Sequence, residues 1–475
     1  MSSYTIPLFI NGDERLAKDA FDVTSPDTGK VVCRCSIATE ADSEAAVEAA
    51  AVASSQWRNS LHAKRRDIFL KAAEVMSSRR QEMGQYLVDE LGAQRGWADF
   101  NIDLAIDMFK DVAGRVVTLD GTLPVSSDPS LTAMVVKEPY GVVLAVAPWN
   151  APYILGTRAV LLPIAAGCTV VFKGSELSPR SHQAIVSVLT EAGLPSGVLN
   201  YIVTTPANAP SMTESLIANP NVKKINFTGS TAVGRIIGKL AGQNLKPVVL
   251  ELGGKAPAIV WEDANLDLAA QQCVLGAFIF GGQVCMSTER IVVHKKVSEA
   301  FQKKLAEAVE QIFPSKGDAL VLINAQSVDK SKRLIKDAIS KGATLLNGNV
   351  DAVESSKTRM RPLVVTKVTP EMDLYKQESF GPSVSVIEVE TEEEALRIAN
   401  DTEYGLSSAV FTEDLRIGLR FARAIETGAV HINHMTVHDE MTHPHGGAKA
   451  SGYGRFNTQS GLEEWVRTKN ITWKS

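Results

Sequence analysis

The sequence predicts an α/β protein in which helices are followed by two regions of alternating strands and helices. Residues 40–115 carry apolar side chains at three- and four-residue spacing, which is typical of amphipathic helices. From residue 141 to 253, short apolar runs alternate with helical stretches, and a second such region follows residue 285. A chain of 475 residues is long enough for about two or three domains.

The first helix and the segment after the helical part have clear local signals. Thr39 and Asp42 are both candidates to cap the helix that starts near residue 40, because their side chains accept hydrogen bonds from free backbone N–H groups. In residues 116–140, turn residues lie between two short alternating runs. This pattern predicts a β-hairpin.

The region from 141 to 253 is predicted to form a parallel, doubly wound sheet. Its strands are expected in GVVLAVAPW, CTVVFKGS, VLNYIV and VKKINFTGS, with helices between most of them. Sheets of this kind bind ligands beyond the carboxyl ends of their strands. Three of those ends are polar here, and we therefore expect a ligand site formed by Trp149 with Asn150, Lys173–Glu176 and Thr228–Thr231.

The composition argues against several classes of partner. The net charge of −5 and the pI of about 6.0 leave no basic surplus for a nucleic acid. No stretch approaches about 18 uninterrupted apolar residues, and the first residues do not resemble a signal peptide, so we expect no membrane partner. The five cysteines form an odd, sparse set, which indicates reduced thiols and a cytoplasmic protein.

Two segments suggest a nucleotide site. In INFTGSTAVG, a strand ends at a glycine turn, and Ser230 or Thr231 can cap a helix whose free N–H groups attract phosphate. The spacing is not G-x-G-x-x-G, so a plain strand-to-helix turn is an equal alternative. In VVFKGSE, Glu176 can accept hydrogen bonds from ribose hydroxyls and would repel a 2′-phosphate, which favours NAD over NADP. The alternative there is a solvated Lys173–Glu176 pair.

Three side chains are candidates for carbonyl chemistry. Glu251 ends an apolar run, which suits either a general base or a structural ion pair. Asn150 follows a strand, and its amide can donate to an oxyanion, although turn asparagines are common. Cys285, in FGGQVCMST, lies behind Gly281 and Gly282, which let the backbone approach a ligand. It is either a buried small residue or a nucleophile, and a nucleophile needs surroundings that stabilise its thiolate.

Together these segments resemble the NAD(P)-dependent aldehyde dehydrogenase superfamily. The matching blocks occur in family order over nearly the whole chain: PWNAP, VVFKGSE, FTGST, ELGGKAP, GGQVCMST, ESFGP and PHGGAKASGYGR. The resemblance implies an aldehyde dehydrogenase-like fold with a Rossmann-type NAD-binding domain, an α/β catalytic domain and a small bridging or oligomerisation hairpin. The expected bounds are, in that order, residues 1–118 with 142–253, residues 254–447, and residues 119–141 with 448–475.

The resemblance also implies roles for the candidate residues. Cys285 is expected to be the nucleophile, Glu251 to activate the hydrolytic water, and Asn150 to form the oxyanion hole with the Cys285 backbone N–H. Oxidation then passes through a thiohemiacetal and a thioester. The expected cofactor is NAD rather than NADP. The resemblance implies that Lys173 and Glu176 bind the adenosine ribose, that Gly229 and Ser230 bind the diphosphate, and that Glu378 binds the nicotinamide ribose. Phe380 is implied to pack near the nicotinamide, and Trp149 and Leu252 are the other residues implied to bind the cofactor.

The substrate is indicated by residues around Asn150. The family often has large aromatic residues at the positions of Ala151 and Arg158. Here the small Ala151 opens space beside Asn150. Arg158 lies two helical turns later, so it would face the same pocket and could bind a phenol or phenolate. TVHDE at 436–440 is similar to salicylaldehyde, vanillin and benzaldehyde dehydrogenases. We therefore expect a hydroxylated aromatic aldehyde, salicylaldehyde first, in a pocket formed by Trp97, Phe100, Ala151, Tyr153, Arg158, Val284, Met286 and His438.

Several alternatives stay open. If Arg158 points outward, the substrate is an aliphatic aldehyde or a semialdehyde. Glu251 disfavours a CoA-acylating enzyme, and the intact catalytic trio disfavours a non-catalytic structural relative. KGSE departs from the common K-P-S-E, so that Gly174 is expected to loosen the turn, and PHGG places His445 where phenylalanine is frequent.

Five histidines lie close together in HINHMTVHDEMTHPH. Such density can bind metal, but the spacing matches no familiar closed zinc set, and no cysteine is nearby. We therefore expect no metal.

The exposed hairpin and the extended tail favour a homodimer or a dimer of dimers, because unpaired strand edges tend to be covered.

Overall fold

The computed structural model describes residues 4–474 and confirms the α/β class. Its N-terminal part begins with short strands, of which β1, β5 and β4 form a small sheet, and continues with helices. The elements are β1 (Thr5–Ile6), β2 (Leu8–Ile10), β3 (Asp13–Arg15), β4 (Ala20–Thr24), β5 (Val31–Ser36), α1 (Glu40–Trp57), α2 (His62–Ser78), α3 (Arg80–Leu91) and α4 (Arg95–Arg115).

The start of α1 confirms Thr39 as the capping residue, whereas Asp42, the alternative, lies at the third position of the helix. The Thr39 side chain accepts the N–H of Asp42 at 3.2 Å, and the Asp42 carboxylate accepts the N–H of Thr39 at 2.9 Å. This reciprocal arrangement is a capping box, which satisfies N–H groups that the first helical turn leaves free.

The next region forms the core of an eight-stranded sheet. Its elements are β6 (Leu131–Pro139), β7 (Val142–Val146), α5 (Pro152–Ala166), β8 (Thr169–Lys173), α6 (Pro179–Glu191), β9 (Leu199–Ile202), α7 (Ala209–Ala218), β10 (Val222–Thr228), α8 (Thr231–Gln243) and β11 (Val248–Glu251). Strands β11, β10, β7, β8 and β9 are neighbours in this order and pair in parallel. The doubly wound parallel arrangement is therefore confirmed.

Helices cover both faces of this sheet. Along β7, Val143 and Ala145 pack with α2–α6, whereas Leu144 packs on the other side with α1, α7 and α8. The alternation follows from the two-residue period of a strand. Strands buried on both faces require nearly continuous apolar sequence, which is why these segments were visible as short apolar runs.

The second alternating region forms a seven-stranded sheet, with β17, β18, β13, β12, β19 and β20 in parallel and β15 antiparallel at one edge. Its elements are β12 (Ala256–Val260), α9 (Leu266–Phe278), β13 (Thr288–His294), α10 (Lys295–Ile312), β14 (Leu320–Val321), α11 (Ala325–Ser340), β15 (Thr344–Leu345), β16 (Arg359–Met360), β17 (Leu363–Thr366), α12 (Asp373–Lys376), β18 (Ser383–Val389), α13 (Glu392–Asn400), β19 (Ser407–Phe411), α14 (Leu415–Ala424) and β20 (Ala429–Ile432).

The C-terminal segment corrects the predicted hairpin. It contains β21 (Gly452–Tyr453), α15 (Thr458–Glu463) and β22 (Val466–Lys474). Strand β6 pairs along its whole length with β22 and not with residues just before it, which make a single bridge between Thr122 and Val135. Strand β21 instead extends the eight-stranded sheet beside β11. The tail therefore joins the predicted bridging segment through β22, while β21 belongs to the other sheet.

Two further predictions concern the whole chain. All five cysteines are unpaired, as expected for reduced thiols. Within residues 4–474, no helix combines the length and the apolar character needed to cross a membrane.

Candidate active site

The carboxyl ends of β7, β10 and β11 border a groove of about 240 Å³. These strands are neighbours in the parallel sheet, so the residues that follow them meet at one edge. The second alternating region reaches the same groove through the loops that carry Cys285 and Glu378. The predicted site residues that line this groove are Trp149, Asn150, Gly229, Ser230, Glu251, Leu252, Cys285, Glu378 and Phe380.

Asn150 is held against the loop that carries Cys285. Its Nδ2 donates to the carbonyl of Gln283 at 2.9 Å, and Trp97 Nε1 donates to the Asn150 carbonyl at 3.2 Å. Gln283 is fully buried and its Oε1 accepts the N–H of Ile323 at 2.8 Å, which fixes the loop in turn. An amide nitrogen carries two hydrogens, so Asn150 keeps one donor for a ligand beside Cys285.

The loop before Cys285 has an unusual backbone. Phe280, Gly281 and Gly282 have φ values of 49°, 67° and 72°. A Cβ at Gly282 would lie 2.3 Å from the carbonyl oxygen of Gly381, so only glycine fits. Gly282 therefore allows a close approach to the backbone of the ESFGP segment, whereas the sequence suggested an approach to a ligand.

The electrostatics around Cys285 differ from the expectation. Burial and, after it, the negative charge of Glu251 raise the pKa of the Cys285 thiol well above its usual range. Among residues 4–474, neither carboxylate oxygen of the buried Glu251 has a hydrogen-bond partner. The surroundings thus favour the thiol over the thiolate, and Glu251 is placed to receive its proton.

The groove suits a dinucleotide at the start of α8. Ser230 caps this helix by accepting the N–H of Val233 at 3.4 Å, which leaves the first helical turn with further N–H groups for a phosphate. A Cβ at Gly234 would lie 2.4 Å from the side chain of Leu252, so the glycine lets α8 pack closely on the residue after β11.

The other end of the groove carries a carboxylate suited to a ribose. Glu378 Oε1 accepts the N–H of Gly254 at 2.9 Å. Burial and the nearby charge of Glu289 raise the pKa of Glu378 to about 7. A Cβ at Gly253 would lie 2.7 Å from this carboxylate, so the cradle depends on glycine. Together with the α8 start, these residues fit a nicotinamide dinucleotide.

Lys173 and Glu176 lie at the end of β8, beyond β7 from the α8 start, and do not line the groove itself. Burial lowers the pKa of Lys173, and Glu176 opposes this effect. The loop between them is anchored by His182, whose Nδ1 accepts the N–H of Ser175 at 3.1 Å. Burial and then the charge of Lys173 lower the pKa of His182 to about 3, so the ring is a neutral acceptor.

Gly174 has a packing role that the sequence did not reveal. A Cβ at Gly174 would lie 2.6 Å from the ring of Tyr201, which is fully buried and donates its hydroxyl to the carbonyl of Pro179 at 2.8 Å. The Tyr201 ring therefore occupies the space that a proline at position 174 would need.

A buried ion pair supports the loop that carries Glu378 and Phe380. Lys255 Nζ lies 2.6 Å from Glu289 Oε2, and both side chains are buried. The Glu289 carboxylate also accepts the backbone N–H groups of Ser379, at 2.8 Å, and Phe380, at 3.1 Å. Phe380 has a φ of 51°, so this loop needs such external support.

Replacing Lys255 by methionine should destabilise the protein strongly, because it leaves the buried Glu289 charge without its cation. We expect the free energy of unfolding to fall by about 3–5 kcal/mol. The matched control is K304M, which breaks the solvent-exposed Lys304–Asp267 pair and should cost under about 1 kcal/mol. Urea denaturation of both variants measures the difference; equal midpoints would refute this role for the buried pair.

A smaller cavity adjoins the groove at Asn150 and Cys285. Helix α5 contributes residues at helical spacing, and Trp97, stacked on Phe280 with ring centroids 5.1 Å apart, forms a flat wall. Phe100, 42% exposed, lies at the solvent side. The cavity is lined by Trp97, Phe100, Leu104, Asn150, Ala151, Ile154, Leu155, Arg158, Val284, Cys285, Met286, Val437, Asp439 and His445.

Two residues predicted for this pocket lie elsewhere. Tyr153, two positions after Ala151 on α5, faces the opposite side of the helix, where its hydroxyl donates to the carbonyl of Met83 at 2.7 Å. His438 lies between Val437 and Asp439, which both line the cavity, and its own ring turns toward Glu440, with Nε2 3.3 Å from Oε1. In both cases the prediction mistook which side of the backbone faces the pocket.

Arg158 lines the cavity but is not a free cation. Its buried guanidinium is paired with the carboxylate of Asp439 and lies over the ring of Phe456, 5.6 Å from the centroid. Burial opposes ionisation of Asp439, but the charge of Arg158 and, when it is protonated, of His445 outweighs it and lowers the Asp439 pKa to about 2. The expected pairing of Arg158 with a phenolate therefore has a competitor within the protein.

The histidine cluster is centred on His438. His438, Glu440 and His443 each bring one polar atom within 4.8 Å of the others, and the His431 and His434 rings lie 5.0 and 4.9 Å from His438. Glu440 and His443 are exposed, and Glu440 already contacts His438. We assign no ion to this cluster.

Comparison with known proteins identifies the family. Residues 13–471 match the sequence model of the aldehyde dehydrogenase family. The chain belongs to the aldehyde dehydrogenase family. It is 43% identical to a vanillin dehydrogenase of Pseudomonas sp. strain HR199 over 99% of this chain and 98% of that protein, and 38% identical to a salicylaldehyde dehydrogenase of Pseudomonas sp. strain C18 over 98% and 97%.

Solved structures agree with this membership. The crystal structure of a salicylaldehyde dehydrogenase from Pseudomonas putida G7, complexed with salicylaldehyde, superposes with a TM-score of 0.96 at 37% identity, covering 99% of this chain and 98% of that one. This aldehyde dehydrogenase therefore has the family fold, and the activity of its family is the oxidation of an aldehyde to an acid with a nicotinamide cofactor.

Sequence reasoning missed several residues of this aldehyde dehydrogenase's site. Asp439 and His445 line the smaller cavity, and Lys330 lines the groove. TVHDE did contain Asp439, and its two-residue alternation with Val437 was the available signal. His445 was noticed only as a departure from phenylalanine, and no local pattern marked Lys330.

Proposed function

We propose that this enzyme oxidises a hydroxylated aromatic aldehyde to the carboxylic acid, with NAD, through a thiohemiacetal and a thioester on Cys285. The observation that carries the proposal is the position of three side chains. Cys285 and Asn150 line both cavities, and Glu251 lines the groove beside them. A carbonyl carbon at Cys285 would thus have the apolar cavity for its ring on one side and the dinucleotide groove on the other.

The first step is addition of the Cys285 sulfur to the aldehyde. Because the thiol pKa is raised, its proton must leave before or during attack, and the adjacent Glu251 carboxylate receives it. The carbonyl oxygen becomes an alkoxide, which the free Nδ2 hydrogen of Asn150 and the Cys285 backbone N–H are proposed to bind. The nicotinamide, when bound in the groove, supplies the acceptor for the hydride that leaves the carbon.

The second step is hydrolysis of the thioester. After the thiol proton has left Glu251 for solvent, the Glu251 carboxylate removes a proton from a water molecule, whose oxygen attacks the acyl carbon. The carbon–sulfur bond then breaks with the electron pair on Cys285. Trp149, Leu252 and Phe380 line the groove around the proposed nicotinamide position and exclude bulk water.

NAD is proposed over NADP because of Glu176. It follows β8, the strand next to β7, and its carboxylate would accept hydrogen bonds from the adenosine ribose and repel a 2′-phosphate. Lys173, buried at the end of the same strand, is proposed to bind the same ribose. Gly229 and Ser230, at the start of α8, would hold the diphosphate.

The aromatic preference rests on the smaller cavity. Trp97, Phe100, Val284 and Met286 form its largely apolar walls, and Ala151 leaves room beside Asn150. The Arg158–Asp439 pair is a polar feature of the same cavity. It suits a neutral phenol hydroxyl better than a phenolate, because Asp439 already neutralises the guanidinium. We propose vanillin before salicylaldehyde, and the higher identity to a vanillin dehydrogenase than to a salicylaldehyde dehydrogenase supports this order.

Substrate comparison tests this assignment. We expect kcat/KM for vanillin and salicylaldehyde to exceed that for hexanal by at least about tenfold, because a flat ring fills the cavity better than a chain of similar length. The double variant R158M/D439L removes both charges together. It should reduce the ratio of kcat/KM for vanillin to that for benzaldehyde by about tenfold, because the ring hydroxyl loses one buried hydrogen bond. NADH absorbance measures all of these rates.

The control is benzaldehyde, which has no ring hydroxyl and whose kcat/KM should change less than that of vanillin in R158M/D439L. Equal kcat/KM for hexanal and vanillin in the unaltered enzyme would contradict the aromatic assignment and favour an aliphatic or semialdehyde substrate.

A homodimer, or a dimer of two such dimers, is proposed from the β6–β22 ribbon. Its two strands pair along nine residues each, and β22 exposes Ile471 and Trp473. A two-stranded ribbon is only marginally stable alone, and its free edge can pair with a second copy.

A further inference from the structure

His445 occupies a position between two buried carboxylates at the catalytic cavity. Its Nε2 lies 3.9 Å from Glu251 Oε1, and its Nδ1 lies 3.8 Å from Asp439 Oδ1. Both contacts are too long for hydrogen bonds, but a shift of about 1 Å would bring either one to hydrogen-bond length. The ring is thus aligned between the general base and a second carboxylate.

The polar atoms that face each other here are unsatisfied. Within the described part of the chain, His445 Nε2 and both oxygens of Glu251 are buried without a hydrogen-bond partner. Buried polar atoms without partners are rare, because each costs free energy comparable to a lost hydrogen bond. Once Glu251 holds a proton, its O–H can donate to His445 Nε2, so these two unsatisfied groups beside a nucleophile indicate a contact that forms during the reaction.

The far side of His445 is rigid. The His445 backbone N–H donates to the carbonyl of Phe456 at 3.0 Å, and the N–H of Phe456 donates back at 2.7 Å. Asp439 is held by Arg158 and accepts a hydrogen bond from Asn457 Nδ2 at 3.0 Å. These contacts keep an ionised carboxylate beside Nδ1, which favours the tautomer with hydrogen on Nδ1 and a free lone pair on Nε2.

We propose that His445 is a positioning residue for Glu251 that accepts the proton which Glu251 takes from water during thioester hydrolysis. This inference rests on the proposed function. Water oxygen bonds to the acyl carbon, its proton passes to the Glu251 carboxylate and then to His445 Nε2, and the carbon–sulfur bond breaks toward Cys285. Asp439 stabilises the imidazolium until the proton reaches solvent, so Glu251 is again a carboxylate for the next turnover. No oxidant or further reactant is needed.

Phenylalanine is frequent in the family at the position of His445, so H445F should preserve the packing while removing both nitrogens. With vanillin and NAD, we expect the first burst of NADH to keep its rate constant within about twofold, because thiol addition and hydride loss do not use the relay. The following steady rate should fall by about tenfold or more, because hydrolysis depends on general-base turnover. H445N, which keeps a polar side chain but cannot carry a proton, should behave like H445F.

Chemical rescue distinguishes proton acceptance from packing. Imidazole added to H445A should restore a large part of the steady rate, and the pH dependence of kcat should lose one inflection in H445F and H445N. The charged groups facing His445 are Glu251, Asp439 and, through Asp439, Arg158, and these are unchanged in all three variants.

Steady rates of H445F and H445N within about twofold of the unaltered enzyme would overturn the proposal. A slow H445A that imidazole leaves slow would also overturn it, because the residue would then act only through packing. Absence of NADH formation from vanillin by the unaltered enzyme would instead refute the proposed function itself, so the two failures are distinguishable.

Discussion

Replacement of Cys285 by alanine is expected to abolish NADH formation with vanillin, lowering kcat by at least about 10³-fold. The sulfur is the proposed site of both the thiohemiacetal and the thioester, and no other described side chain between the two cavities offers a comparable nucleophile. Removing a covalent nucleophile generally leaves only the catalysis that binding and oxyanion donors provide. Stopped-flow absorbance of NADH in C285A should show neither a burst nor a steady phase.

The matched control for C285A is C273A. Cys273 is fully buried in α9 within an apolar cluster, away from both cavities, and burial raises its thiol pKa. This variant should lose some stability but keep the rate of NADH formation within about twofold. NAD binding by C285A, followed by protein fluorescence, should match the unaltered enzyme. Turnover by C285A near the original rate would remove Cys285 from the mechanism.

Replacement of Glu251 by glutamine is expected to separate the two halves of the reaction. Glutamine has the same shape but cannot accept a proton from water or from the thiol. At alkaline pH, where Cys285 can lose its proton to solvent, the acyl-enzyme should therefore accumulate after one burst of NADH per active site. The steady rate should then fall by about 10²–10⁴-fold. Because Glu251 also raises the pKa of Cys285, its removal increases the thiolate fraction, and the burst should persist at alkaline pH.

The control for E251Q is E299Q on α10, where the same chemical change occurs on an exposed side chain. Both phases of NADH formation should be unchanged in E299Q. A steady rate in E251Q close to that of the unaltered enzyme would show that another group activates the water.

The sequence was sufficient for elements that depend on local patterns. The strands around Val143 and Phe227 are buried on both faces, so their apolar runs were visible, and their polar ends predicted the edge where the groove lies. Asn150, Glu251 and Cys285 were found because each follows a recognisable strand or glycine turn. The predicted β-hairpin was wrong because β6 pairs with β22, more than 300 residues later in the chain. No local sequence pattern indicates so distant a partner.

The pocket was predicted less well because it depends on which way side chains turn. Tyr153 and His438 lie one or two positions from true lining residues and face the other way. The Arg158–Asp439 pair joins segments about 280 residues apart, so its neutralised charge could not be read from either segment. For the same reason, the role proposed for His445 could not be predicted from the sequence, because it depends on the positions of Glu251 and Asp439 on either side of the ring.

The proposed mechanism requires a covalent bond between the aldehyde carbon and Cys285. Mass spectrometry of E251Q, quenched in acid after mixing with vanillin and NAD at alkaline pH, detects this bond. We predict that the peptide containing Cys285 gains the mass of the acyl group, with an occupancy that matches the NADH burst, and that the adduct is absent without NAD. An NADH burst with no acyl group on Cys285, or with the acyl group on a different residue, would rule out Cys285 as the acyl carrier.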